Sequence, residues 1–168
     1  DIGKYSWTPP IENGKSFLEN SLIKAREATK LTGLVSLADD SGLCVDLLKG
    51  APGIYSADWA VMNDGSRDFK FATNKLINEI EKKNYVKPIT AYFVCSLVLH
   101  WPDNYFEKFE GKIFGEINWP GRGTNGHGYD PIFKPSGYKE TFGEMDRWKK
   151  NKISHRGLAV DKLLDTCF

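Results

Sequence analysis

The residues Asp39-Asp40-Ser41-Gly42 concentrate more potential chemistry than any other tetrapeptide of the chain. They follow a short apolar run, Leu34-Val35-Ser36-Leu37-Ala38, that reads as a buried strand. The two carboxylates then lie at the C-terminal edge of a strand, where open α/β sheets place their ligands. Adjacent carboxylates beside a core repel one another unless a cation is close. Mg²⁺ meets that need, because it takes carboxylate oxygens and keeps several waters. A carboxylate that holds such a hydration shell can also take a proton from one of its waters. The same four residues, taken alone, also make an ordinary solvated Asx turn.

Three further groups invite a ligand. Lys24 stands at the edge of the apolar stripe of a helix, free either to enter a cleft or to snorkel to solvent. Gly121 to Gly128 holds four glycines in eight residues, so the backbone there can approach a ligand closely. His127 and Tyr129 next to it can stack on a planar base, and Asp130 can accept from base N–H groups. A Gly-rich hairpin turn explains the same loop, and no Walker-type Lys-Ser/Thr follows it. Lys149, Lys150, Lys152, His155 and Arg156 place five potential cations in eight residues, a match for a polyphosphate or simply a solvated basic face. Ser154-His155-Arg156 opening a helix would add backbone amides. His155 is expected to donate to a phosphate or a base carbonyl rather than to bind metal.

These groups need elements to hold them. Ser16 and Glu19 form a capping box for a helix from Phe17 to Thr32, and Gly33 stops it. Phe17, Leu18, Leu22, Ala25, Ala28 and Thr29 share its apolar face. A second apolar run covers Leu43 to Leu48, and a second amphipathic helix starts at Phe69 and ends near Asn84. Thr90–Trp101 and Tyr105–Ile117, joined by Pro102-Asp103-Asn104, read as an antiparallel hairpin. Leu158, Leu163 and Leu164 mark a final helix within Ser154 to Cys167. Helices and strands interleave, which makes the class α/β with a mixed twisted sheet and flanking helices. The 168 residues fit one domain.

Composition narrows the function. Lys+Arg number 23 against 22 Asp+Glu, which speaks against a nucleic-acid polymer as partner. No apolar run reaches about 18 residues, so no membrane partner is expected. Cys44, Cys95 and Cys167 have no metal-like spacing and read as buried thiols of a reducing, cytoplasmic setting. His100, in an apolar strand, reads as structural.

Five motifs in order sharpen this. Phe17-Leu18-Glu19-Asn20 with Lys24-Ala25-Arg26, Ala38 to Leu43, Gly50-Ala51-Pro52-Gly53-Ile54-Tyr55-Ser56-Ala57, Gly126 to Phe133, and Ile153-Ser154-His155-Arg156-Gly157 together resemble the inosine/xanthosine triphosphate pyrophosphatases. The resemblance implies an elongated two-lobed α/β domain with a central cleft, working as a homodimer. It implies Mg²⁺-dependent hydrolysis of a non-standard purine nucleoside triphosphate (ITP, dITP or XTP) to monophosphate and pyrophosphate. Asp40 resembles the catalytic carboxylate and Lys24 the triphosphate ligand, with Asp40, Asp39 and Glu12 as metal-side acids. Ser41, the segment His127, Gly128, Tyr129 and Asp130, and Lys150, His155 and Arg156 resemble the substrate and nucleobase clamp. Two departures stand out. His127 takes a position where the family has Phe. The family's opening strand and Thr-Gly-Asn-x-x-Lys motif do not occur, so Asp1 reads as the start of a chain lacking roughly 25–30 residues of a βα unit. From that follows the expectation of impaired triphosphate binding, or of binding without turnover; a related enzyme for modified pyrimidine triphosphates is a separate alternative.

Overall fold

The computed structural model describes residues 2–167; Asp1, on which the expectation of a missing βα unit turns, lies outside them. The first helix, α1 (Phe17–Thr32), has the bounds that its caps dictate. Ser16 Oγ accepts the Glu19 N–H at 3.1 Å, and Gly33, at φ +68°, returns its N–H to Thr29 O at 2.8 Å. The Glu19 carboxylate reaches one residue further back than a capping box requires and accepts from Lys15 N–H at 2.6 Å. The buried face is also rotated from the expected one. Asn20, Ser21, Ala25, Ala28 and Thr29 are buried, whereas Phe17, Leu18 and Leu22 are half-buried. Small and hydroxylated residues let α1 lie close to the sheet: Ser21 Oγ donates to Ser96 O at 2.7 Å and Thr29 Oγ1 to His100 O at 3.1 Å.

The strands are β1 (Ser36–Val45), β2 (Thr90–His100), β3 (Phe106–Ile117) and β4 (Phe133–Pro135), in that spatial order. The expected hairpin is β2–β3, turning through Asn104 at φ 70°. Where a mixed sheet was expected, every ladder among the described residues is antiparallel, because each neighbouring strand runs back along the one before it. The expected turn at Asp39–Gly42 is likewise absent. The two apolar runs on either side fuse into one strand, with Asp39 opposite Leu97, Asp40 opposite Ser96 and Ser41 opposite Cys95. Strand propensity alone disfavours this; pairing along the whole of β2 overrides it. Alternation along β1 then sends Asp40 to one face and Asp39 and Ser41 to the other.

That alternation decides which helix meets which acid. Helix α1 packs on β1 and β2, and α4 (His155–Cys167) packs on β2 and β3. The remaining helices are α2 (Phe69–Glu81), capped by Asp68, and α3 (Arg147–Ile153), capped by Asp146. One core gathers Leu43, Val45, Leu76, Ile80, Phe93, Phe133 and Phe142 around α2. A second gathers Cys95, Leu97, Phe109, Ala159 and Leu163 beneath α4. Both lie along the same long strands, of 11 and 12 residues. Among the described residues no helix is long and apolar enough to cross a membrane. Cys44 and Cys95 are buried as expected, but Cys167, near the end of α4, is only half-buried.

The seat of α4 is set by Gly111. A Cβ there would lie 1.9 Å from His155 O and 2.5 Å from Ala159 N. Gly111→Ala is therefore expected to destabilise the protein by roughly 1–3 kcal/mol and to loosen α4 from β3. Urea denaturation measures the first effect, and faster amide hydrogen exchange along α4 would report the second.

Candidate active site

Twelve of the residues singled out from the sequence line one cavity of about 730 Å³: Glu12, Lys24, Asp39, Asp40, Ser41, His127, Gly128, Tyr129, Asp130, Lys150, His155 and Arg156; Lys149 and Lys152 do not. Its size suits a nucleotide. The structure nevertheless divides the twelve among distinct jobs.

On the α1 side, Lys24 Nζ donates to Glu12 Oε2 at 2.8 Å and to Asp40 Oδ1 at 3.1 Å. Asn20 Nδ2 donates to the other oxygen, Asp40 Oδ2, at 3.3 Å. Burial is the main force on Asp40 and, with the nearby Glu12 charge, holds its carboxyl above the usual carboxylate range despite Lys24 and Asn20. Burial works against the Lys24 ammonium, but Glu12 and Asp40 outweigh it and raise its pKa.

Across the strand, Arg156 Nη2 donates to Asp39 Oδ2 at 2.6 Å and to Ser41 Oγ at 3.3 Å, while Ser41 Oγ donates to Asp39 Oδ2 at 3.0 Å. Burial would raise the Asp39 carboxyl; Arg156, Ser41 and the Lys24 charge together pull it below its ordinary value. The repulsion between the adjacent carboxylates is thus answered within the protein by two cations on opposite faces. Glu12 and Asp40 converge on Lys24 Nζ, and Asp39 pairs with Arg156 instead.

The far wall is the glycine-rich loop. Asp130, with its side chain 4 % exposed, accepts from His127 N–H at 2.8 Å and from Lys150 Nζ at 2.5 Å. One of its oxygens is therefore committed to shaping the turn. A Cβ on Gly126, at φ +74°, would lie 2.0 Å from Asp130 Oδ2, so glycine is required there. Tyr129 is turned into the core: it is buried, meets Phe69 edge-on at 5.8 Å, and donates its hydroxyl to Ser56 O at 3.0 Å. His127 is the exposed ring of this wall.

The C-terminal cation cluster also splits. Lys150, His155 and Arg156 face the cavity, whereas Lys149 pairs with Glu140 and lies over the Tyr138 ring. Ser154 Oγ accepts the Gly157 N–H at 3.1 Å, so the start of α4 is capped by its own side chain. His155 stacks on Phe93 at 4.7 Å and 10°. Burial, followed by the Arg156 and Lys150 charges, pushes its pKa down to about 3. The ring is neutral at physiological pH, so it suits the expected contact with a base carbonyl and not a charged contact with phosphate. Among the described residues its Nδ1, and both ring nitrogens of buried His100, have no hydrogen-bond partner.

These two histidines predict acid sensitivity. Both have pKa values lowered in the folded state, foremost by burial. The unfolded chain then binds more protons below about pH 6.5, and stability falls with pH from there. Urea midpoints at pH 7 and 5 are expected to reveal a loss of about 2 kcal/mol from His155 alone. Ionisation of Asp40, whose carboxyl is raised, acts with the opposite sign and only nearer the carboxylate range.

Sequence reasoning did not find the Asn20 contact with Asp40, the Phe93 platform under His155, or Arg67. The Asn20 contact had one signal, its position a single helical turn before Lys24. Arg67 also lines the cavity and, unlike Lys24, Lys150 and Arg156, makes no salt bridge among the described residues.

The lining carries five acids (Glu12, Asp39, Asp40, Asp58, Asp130) and four bases (Lys24, Arg67, Lys150, Arg156). A polyanion entering it needs added positive charge. No cluster of three or more His, Cys, Asp or Glu able to hold a metal occurs among the described residues. Glu12 and Asp40, which share the Lys24 ammonium at 2.8 and 3.1 Å, are two carboxylates, the number that Mg²⁺ commonly uses when phosphates and waters complete its shell. The donor set fits that ion.

Comparison with known proteins agrees with the geometry. The family model described as the Ham1 family matches residues 2–166. A protein of Ruegeria pomeroyi named dITP/XTP pyrophosphatase is 51 % identical over 159 residues, covering 95 % of this chain and 78 % of that one. A protein of the same name from Agrobacterium fabrum is 46 % identical over 172 residues, covering 96 % and 80 %. Among solved structures, a HAM1 protein from Coxiella burnetii superposes with TM-score 0.90 at 37 % identity, covering 98 % of this chain and 82 % of that one.

Proposed function

The chain belongs to the Ham1 family, and from that premise we propose that it hydrolyses non-canonical purine nucleoside triphosphates (ITP, dITP and XTP) to the monophosphate and pyrophosphate. The observation that carries this reading is the Glu12–Lys24–Asp40 arrangement, which faces the Asp130-braced loop across one nucleotide-sized cavity. The names of the relatives support the substrate class.

Glu12 and Asp40 would hold Mg²⁺, which when bound neutralises phosphate charge and orients water. The chain's own residues do the rest. Asp40 takes a proton from the attacking water as its oxygen bonds to the α-phosphorus. The bond from that phosphorus to the α–β bridging oxygen breaks, and pyrophosphate leaves. Lys24 and Arg67 bind phosphate oxygens, and Arg156 keeps Asp39 and Ser41 ordered beside them. Neutral His155 donates to the purine 6-keto oxygen. An adenine amino group at that point would meet a donor with no acceptor to offer. His127 is the exposed face against which the base lies.

The same reading carries a homodimer, one domain spanning the chain, and a cytoplasmic setting; the free Cys44, Cys95 and Cys167 support the last. The test is to supply dITP, XTP, dGTP and dATP with Mg²⁺ and resolve the products by ³¹P NMR. Pyrophosphate from dITP and XTP in clear excess over dGTP and dATP is the expected result. Orthophosphate, or equal turnover of all four, would overturn the reading.

A further inference from the structure

Asn20 is a polar residue only 3 % exposed that nevertheless lines the cavity. Its side chain is fixed at both ends. Oδ1 accepts the Gly14 N–H at 2.9 Å, and Nδ2 donates to Asp40 Oδ2 at 3.3 Å. The first bond dictates the second. A backbone N–H can only donate, so the amide oxygen must face Gly14 and the NH₂ group must face Asp40.

Asn20 and Lys24 stand one turn apart on α1, and Lys24 Nζ holds the other Asp40 oxygen at 3.1 Å. Both oxygens of Asp40 are thus gripped from a single helical face. Glu12, which accepts from Lys24 at 2.8 Å, lies on the arm that Asn20 anchors two residues later at Gly14. Packing at the anchor is tight. A Cβ on Gly14 would lie 2.6 Å from Asn20 Oδ1 and 2.7 Å from Glu19 Cβ. Glycine is what lets the arm come this close.

We propose that Asn20 is a positioning residue for the reaction: it sets the rotation of the Asp40 carboxylate and the spacing between Asp40 and Glu12. The inference deepens the pyrophosphatase reading and rests on it for its kinetic consequences. Its consequences for the arm stand on the geometry alone.

Three variants of the full chain separate the two bonds. Asn20→Ala removes both. Asn20→Asp keeps the acceptor for Gly14 N–H but removes the donor and sets a like charge beside Asp40. Gly14→Ala keeps Asn20 and displaces the arm. The readouts are dITP turnover across a Mg²⁺ series, Mn²⁺ binding without nucleotide by electron paramagnetic resonance, and the rate of tryptic cleavage after Lys15.

Asn20→Ala is expected to lower kcat by about 10–100-fold, weaken Mn²⁺ binding by about 10-fold and leave the KM for dITP within about 3-fold. It is also expected to speed cleavage after Lys15 by about 10-fold, since the arm loses its anchor. Asn20→Asp should lower kcat comparably while cleavage stays at the wild-type rate. Gly14→Ala should speed cleavage and weaken Mn²⁺ binding. Wild-type kcat in Asn20→Asp, or wild-type cleavage and Mn²⁺ binding in Asn20→Ala, would overturn the proposal. Should the unaltered chain release no pyrophosphate, the functional reading fails, and the cleavage and Mn²⁺ readouts still decide the role of Asn20.

Discussion

Asp40→Asn is expected to lower kcat for dITP by about 1000-fold while the protein stays folded. The amide matches the carboxylate in shape but cannot take a proton from water, and it weakens one of the two acids proposed to hold Mg²⁺. With its oxygen kept toward Lys24, the amide sets its NH₂ group against Asn20 Nδ2, a local mismatch at an edge of the cavity. Lys24 keeps Glu12 as a partner at 2.8 Å, and Asn20 keeps Gly14 at 2.9 Å. Asp40 also contributes little net charge stabilisation, because burial and Glu12 already hold its carboxyl above the ordinary range. A thermal melt within a few degrees of wild type, together with the loss of turnover, is the expected pair of results. A variant retaining a tenth of wild-type kcat would remove Asp40 from the role of base.

Lys150→Met is expected to act on stability and KM instead. It leaves the Asp130 carboxylate, 4 % exposed, with the His127 N–H as its one remaining side-chain hydrogen bond among the described residues. Stranding one member of a buried pair costs roughly 3–5 kcal/mol. The loop from Gly126 to Asp130 is folded around that carboxylate, so the KM for dITP should rise while kcat falls less. Asp130→Asn on top of Lys150→Met removes the stranded charge and should recover much of the lost stability. Urea denaturation of the two single variants and the double variant yields the coupling directly. Additive losses would show that the pair does not brace the loop.

The sequence made local features legible because their causes are local. Ser16, Glu19 and Gly33 bound α1 within a few residues of themselves, and Pro102 to Asn104 turn the β2–β3 hairpin. The twelve candidate residues come from motif order, and the structure brings them to one cavity. What remained hidden depends on distant partners. The carboxylate pair looks like a turn until β2 pairs along its whole length, and only then does alternation send Asp39 to Arg156, 117 residues away. His155 reads as a cation until Phe93 and the core close over it. Tyr129 looks like a stacking ring until its hydroxyl meets Ser56, 73 residues earlier. Helix α3, Arg147–Ile153, carries too few apolar residues for a periodic signal and rests on its Asp146 cap.

Water attack at the α-phosphorus, with Asp40 as base, is the centre of the account. Turnover of dITP in ¹⁸O-labelled water, with mass analysis of both products, tests it most directly. The account predicts one ¹⁸O in the deoxyinosine monophosphate and none in the pyrophosphate. Label in pyrophosphate, or its appearance in orthophosphate, would place the attack at another phosphorus and contradict it.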